Sequence, residues 1–210
     1  MRYNSNNYLL EGFTNNMAIS LQKGNSLSLT KTDGSALTSV RLGLGWDAAS
    51  TKRGFFGLGG GGEIDLDASA VMLDSSGRVF DAVHFSKLSS SDGSVRHTGD
   101  NLTGEGDGDD EQIMVNLNAV PADVKTIVFV ITSYSGQRFD SVKNVYARVV
   151  DTSGRDNEVV RYNLAESQNT TANVIAKITR GGNGWEFTAI GEYTNGRTVA
   201  DTIPTVSQHA

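Results

Sequence analysis

Lys125 to Thr132, KTIVFVIT, is apolar at consecutive positions rather than at alternate ones. Successive side chains of a strand point to opposite faces, so such a run must be covered on both sides and belongs at the centre of a sheet held between two layers. Ten further stretches of strand length accompany it, at 18–22, 26–31, 39–46, 66–73, 79–85, 112–117, 145–151, 158–164, 173–179 and 185–193. Most are rich in Val, Ile, Thr and aromatic residues. Turn chemistry separates them: Thr32-Asp33-Gly34, Asp74-Ser75-Ser76-Gly77, Ser91-Asp92-Gly93, Asp151-Thr152-Ser153-Gly154 and Gly181-Gly182-Asn183-Gly184 each put glycine where a hairpin needs it. No segment carries a 3.6-residue apolar stripe over three turns; the nearest approach, 163–177, offers only sparse positions such as Leu164 and Val174. The pattern predicts an all-β chain with little helix, a β-sandwich of two mainly antiparallel sheets. Two long connections, 49–64 and 86–111, interrupt the short turns, and long loops on a rigid scaffold usually carry function.

Charge narrows the field. The chain has 18 Lys+Arg against 24 Asp+Glu, a formal net charge of −6. Residues 100–111 (DNLTGEGDGDDE) hold six acids and no base, so the other 198 residues are balanced at 18 against 18. Without a basic block, a nucleic-acid partner is not expected. Zero cysteines exclude disulfides, thiolate metal sites, iron–sulfur clusters and a cysteine nucleophile. Residues 1–16 lack the apolar run of a signal peptide, and no stretch approaches the ~20 apolar residues of a membrane span, so a cytoplasmic protein without a transmembrane segment is expected.

Two segments concentrate oxygen ligands. In the first, Asp65 and Asp67 stand two apart at the start of a strand and so share a face. In the second, 100–111, carboxylates alternate with glycines, and Asn101 and Thr103 add neutral oxygens. Like charges this close repel by roughly 1 kcal/mol per pair even in water, which a cation would relieve. Calcium suits the donors, being a hard ion that takes 6–8 oxygens, whereas magnesium demands a tighter octahedron and zinc or copper would want His or Cys. No EF-hand loop is present, and Gly60-Gly61-Gly62-Glu63-Ile64-Asp65 only approaches a β-roll repeat, once.

At these residues the sequence resembles the TerD family of tellurium-resistance and general-stress proteins. Val40-Arg41-Leu42-Gly43-Leu44-Gly45-Trp46-Asp47, Asp65-Leu66-Asp67-Ala68-Ser69-Ala70, the block from Ser94 to Glu111, and Val120-Pro121-Ala122-Asp123-Val124 follow the family pattern in order. The resemblance implies a bacterial, cytosolic, calcium-binding β-sandwich with long metal-binding loops at one end. It divides the chain into an N-terminal extension (1–16), the calcium-binding domain (17–196) and a polar C-terminal tail (197–210). Asp65, Asp67, Asp100, Asn101, Thr103, Glu105, Asp107, Asp109, Asp110 and Glu111 carry over as ligands for two or more Ca2+ ions. The glycine-rich insert 54–62 and the tail depart from common members.

The leading expectation is a non-enzymatic calcium-binding stress-response protein that assembles with stress-complex proteins at the inner membrane face, peripheral to the membrane. The competing one is a metal-dependent, hydrolase-type enzyme using the same loops and His97, a residue read first as structural; His84 and His209 are weaker still. Trp46 and Trp185 read as core anchors, and Phe55 and Phe56 as either a loop plug or an exposed contact. Gly57–Gly62 lacks the Lys-Ser/Thr ending and the helix of a phosphate loop.

Overall fold

The two-faced run becomes β8 (Val124–Ser133), and it lies inside a sheet between β11 (Ala172–Gly181) and β4 (Leu66–Asp74). The computed structural model describes residues 18–48, 65–99, 108–164 and 168–210. Beyond these three strands it contains β1 (Ile19–Leu21), β2 (Ser26–Ser28), β3 (Ser39–Ala48), β5 (Val79–Val83), β6 (Val95–His97), β7 (Glu111–Asn116), β9 (Val142–Asp151), β10 (Asn157–Asn163) and β12 (Gly184–Thr194). One sheet runs β1-β10-β9-β3-β7-β6 and the other β2-β12-β11-β8-β4-β5. Among the described residues every strand pairing is antiparallel except β1 with β10. The sandwich of two mainly antiparallel sheets is therefore as the patterning predicts.

Alternation sorts the side chains. Ile127, Phe129 and Ile131 of β8, with Leu66, Ala68, Ala70 and Met72 of β4, pack between the sheets against Leu42 and Leu44 of β3 and Ile113 and Val115 of β7. Trp46 and Trp185 are buried in the same core. Val128 and Val130 point the other way and join Val71, Leu73 and Val174.

What covers that second face is the C-terminal segment. Residues 197–210, read from the sequence as a polar tail, contain α1 (Val199–Val206), whose Val199, Ile203 and Val206 recur at helical spacing and pack on the outer valines, with Val206 fully buried. Asp201, at the third helical position, reaches back to accept the backbone N–H groups of Arg197 (2.9 Å) and Thr198 (3.0 Å), which closes the first turn and holds its carboxyl below the usual range. At the other end Lys177 Nζ donates to His209 O at 2.9 Å.

One other expectation changes, and one holds. The connection 86–111 is not one long loop, because β6 lies inside it and pairs with β7 through Val95–Val115 and His97–Ile113. Segment 163–177 is the end of β10 and the start of β11, without helix on the described residues. The N-terminal extension, the connection 49–64 with its glycine-rich insert, and Phe55 and Phe56 lie outside the described residues.

Candidate functional site

The described ends of the two acidic segments, around 65–68 and 108–111, meet at one end of the sandwich. Glu111 opens β7 opposite Leu44 of β3, so its side chain enters the inter-sheet space, and its Oε2 accepts the backbone N–H of Ala68 in β4 at 2.5 Å. The β4–β5 ladder ends at Ala70–Val83, leaving Ala68 beyond the last paired residue of β5, and the Glu111 carboxylate takes that donor across the sandwich. His97 Nε2 stands 3.2 Å from the same oxygen, with both side chains fully enclosed. Gly99 N–H donates to His97 Nδ1 at 3.1 Å, which makes Nε2 the nitrogen that carries the proton toward Glu111. His97 thus braces a buried carboxylate and has no face turned to solvent, the structural role expected of it.

Asp109 lies on the opposite, outer face of the same sheet. Its carboxylate is fully enclosed and meets Arg148 of β9 as a fork, Nε to Oδ1 at 2.6 Å and Nη2 to Oδ2 at 3.0 Å. The Tyr146 hydroxyl sits 3.0 Å from Oδ1 and 2.6 Å from Gly108 O, and Gln112 Nε2 lies 3.4 Å from Oδ2. Burial and the adjoining Asp109 push the Tyr146 phenol up to about 12, so it stays a donor at neutral pH. Arg148 also bonds Glu158 (2.8 Å), which Arg161 holds on its other side, and Arg161 lies 4.2 Å over the Tyr146 ring.

Asp110 sits at the end of β3. It donates its N–H to Leu44 O at 2.8 Å and accepts Trp46 N–H on Oδ2 at 2.7 Å. Burial, then the charges of Asp47 and Asp109, raise its carboxyl above the ordinary value. Asp47 receives Asn144 Nδ2, from a residue held at φ 53° where β9 falls out of register with β3. Asp67, buried, is opposite Thr132 on the outer face of the β4 sheet, and Asp65, two residues earlier, continues that face.

The candidate acids are therefore spread over three surfaces: Glu111 between the sheets, Asp109 outside one sheet, Asp67 outside the other. Among the described residues no three His, Asp or Glu side chains form a group able to hold a metal ion. Asp100, Asn101, Thr103, Glu105 and Asp107 lie outside the described residues. Sequence reading missed Asp47, Tyr146, Arg148, Glu158 and Arg161; the one signal for them was Gly43-Leu44-Gly45, whose small residues make room for Asp109 and Tyr146.

Residues 17–201 match the TerD domain family. Over 185 residues the chain is 46% identical to the tellurium resistance protein TerZ of Serratia marcescens, covering 87% of this chain and 94% of that protein. It is 44% identical over 198 residues to the stress response protein SCP2 of Bacillus subtilis (strain 168), covering 89% and 98%. A solved structure of a homologue of telluride resistance protein (TerD) from Streptomyces coelicolor A3(2) shares the fold with a TM-score of 0.64, at 21% identity, over 80% of this chain and 96% of that one. No helix among the described residues is long and apolar enough to cross a membrane.

Proposed function

The chain belongs to the TerD family of tellurium-resistance and stress-response proteins, and on that premise we propose that it is a non-enzymatic, cytoplasmic calcium-binding protein. Its acidic segments take two or more Ca2+ ions at one end of the sandwich, and the ordered loops assemble with other stress-complex proteins at the inner membrane face. The observation that carries the reading is the crowding at Asp110. Its half-buried carboxylate lies in the field of the Asp47 and Asp109 carboxylates, and burial adds to their effect in disfavouring its charge. A divalent cation there removes the repulsion and suits hard oxygen donors.

The fit differs between residues. Asp109 and Glu111 have oxygens committed to Arg148, Tyr146, Ala68 N–H and His97, and they frame the site. Asp65, Asp67 and Asp110 would hold ions together with Asp100, Asn101, Thr103, Glu105 and Asp107. Bound calcium supplies the charge that draws these oxygens together, adding about 2.7 kcal/mol of stability at a hundredfold excess over Kd. Thermal unfolding in excess calcium against chelator tests this: a raised midpoint is expected, and identical midpoints would overturn it.

A further inference from the structure

We propose that the outer face of the β3–β9 sheet is a seat for the C-terminal arm of the acidic segment, with Arg148 and Tyr146 as positioning residues, and that Asp109 is committed to this seat and not to an ion. The inference rests on the calcium reading above, but its physical content is independent of any ion.

Four observations converge. A carboxylate oxygen offers two lone pairs, and both Asp109 oxygens are engaged: Oδ1 by Arg148 Nε and, at 3.0 Å, by the Tyr146 hydroxyl, whose single proton is shared with Gly108 O, and Oδ2 by Arg148 Nη2 and, at longer range, Gln112 Nε2. The Tyr146 hydroxyl also reaches the backbone at Gly108 O, so the arm is gripped through its main chain as well. The strand beneath is hollowed to receive both groups: a Cβ on Gly43 would stand 2.1 Å from Asp109 Oδ2, and one on Gly45 would stand 2.4 Å from the Tyr146 ring. Finally, Glu158 and Arg161 brace the seat from behind, Glu158 accepting from both arginines while Arg161 covers the Tyr146 ring.

Asp110 follows Asp109 directly, and its N–H and carboxylate are already on β3 at Leu44 O and Trp46 N–H. The seat therefore fixes where Asp110 presents its oxygens. Residues that orient ligands from behind typically change metal affinity by 10–100-fold when removed, so Arg148 should govern calcium affinity without touching calcium.

The test is calcium titration by calorimetry on the full chain, paired with amide hydrogen exchange of residues 108–111 in chelator. Arg148→Met is expected to weaken calcium binding about tenfold or more with the number of ions unchanged, and to speed exchange at 108–110 in chelator while β8 stays protected. Arg148→Lys, which can offer one donor but no fork, should recover part of both effects, and Tyr146→Phe should show a smaller loss. The double variant Asp109→Asn/Arg148→Met should bind calcium as Arg148→Met alone does. A further loss of affinity or of an ion in the double variant would make Asp109 a ligand and overturn the proposal, as would unaltered exchange at 108–110 in Arg148→Met. If the parent protein binds no calcium, the calcium reading fails, while the exchange measurement in chelator still decides whether the seat exists.

Discussion

The Asp109 carboxylate lies flat over the Cα of Gly43, so close that a methyl group there would meet Oδ2 at 2.1 Å. Asp109 is enclosed and tied to Arg148, so it cannot swing aside without losing the fork. Gly43→Ala should therefore cost about 3 kcal/mol, well beyond an ordinary glycine substitution in a strand, because it displaces a buried charge from its partner. Urea unfolding measures this. In an Asp109→Ala background the same change should cost less than about 1 kcal/mol, since the clash is gone; an equal cost in both backgrounds would locate the effect elsewhere.

The helix that closes the second face gives another expectation. Val206 is fully buried against the outer valines of β4, β8 and β11. Val206→Ala removes two methyl groups from a packed layer and should cost about 2 kcal/mol by thermal unfolding. Removing residues 198–210 should go further, exposing Val71, Val128, Val130 and Val174 as a contiguous apolar patch that binds a hydrophobic dye and self-associates. A truncated protein that stays monomeric with an unchanged midpoint would show that the layer is dispensable.

The difference between these two regions explains what could be read from the sequence. The run 125–132 announced that it needed cover on both faces, and the period-2 stretches announced the sheets, because burial on a sheet writes itself into local alternation. The identity of the second cover was hidden: α1 has only eight residues, carries Pro204 inside it, and presents three apolar positions among Thr, Asp and Ala, too little for a helical period to stand out. The short strand β6 was hidden for the same reason, since three residues cannot display a period. The acids were legible as a charge density but not as individuals. Whether Asp109 faces a cation or a guanidinium depends on Arg148, 39 residues away in β9, and no local pattern reports such a pairing.

Acid should loosen the 81–91 region as the pH falls below about 4. Asp81 organises the turn after β5, taking the Lys87 ammonium and Ala82 N–H on one oxygen and Ser91 N–H (2.7 Å) on the other. Burial pushes its carboxyl up, but the Lys87 and Ser91 hydrogen bonds outweigh burial and hold it at about 2. An acid whose folded value lies below its unfolded value near 3.8 contributes stability that is complete above about pH 4 and lost as pH falls through about 2. Asp81→Asn should thus be less stable than the parent at pH 6 by about 1 kcal/mol after solvent screening. The gap should narrow sharply between about pH 4 and pH 2 in chemical unfolding; a gap that stays constant with pH would mean that the carboxylate charge is not what the turn uses.

Asp110 offers a change whose sign depends on calcium. Its carboxyl is raised by burial and by Asp47 and Asp109, so the folded protein disfavours the ionised form, while one oxygen still serves as the acceptor for Trp46 N–H. Asn keeps an acceptor oxygen and drops the charge. In chelator, Asp110→Asn should be as stable as the parent or more stable, by up to about 1 kcal/mol for a half-exposed group. In excess calcium the order should reverse, because the parent gains ion-binding energy that the variant has largely given up through a weaker donor. Unfolding midpoints of both proteins in matched chelator and calcium buffers would display the crossing. Equal destabilisation by Asp110→Asn in both buffers would instead make Asp110 a purely structural acceptor for β3, and would remove the described residue on which the calcium reading leans most.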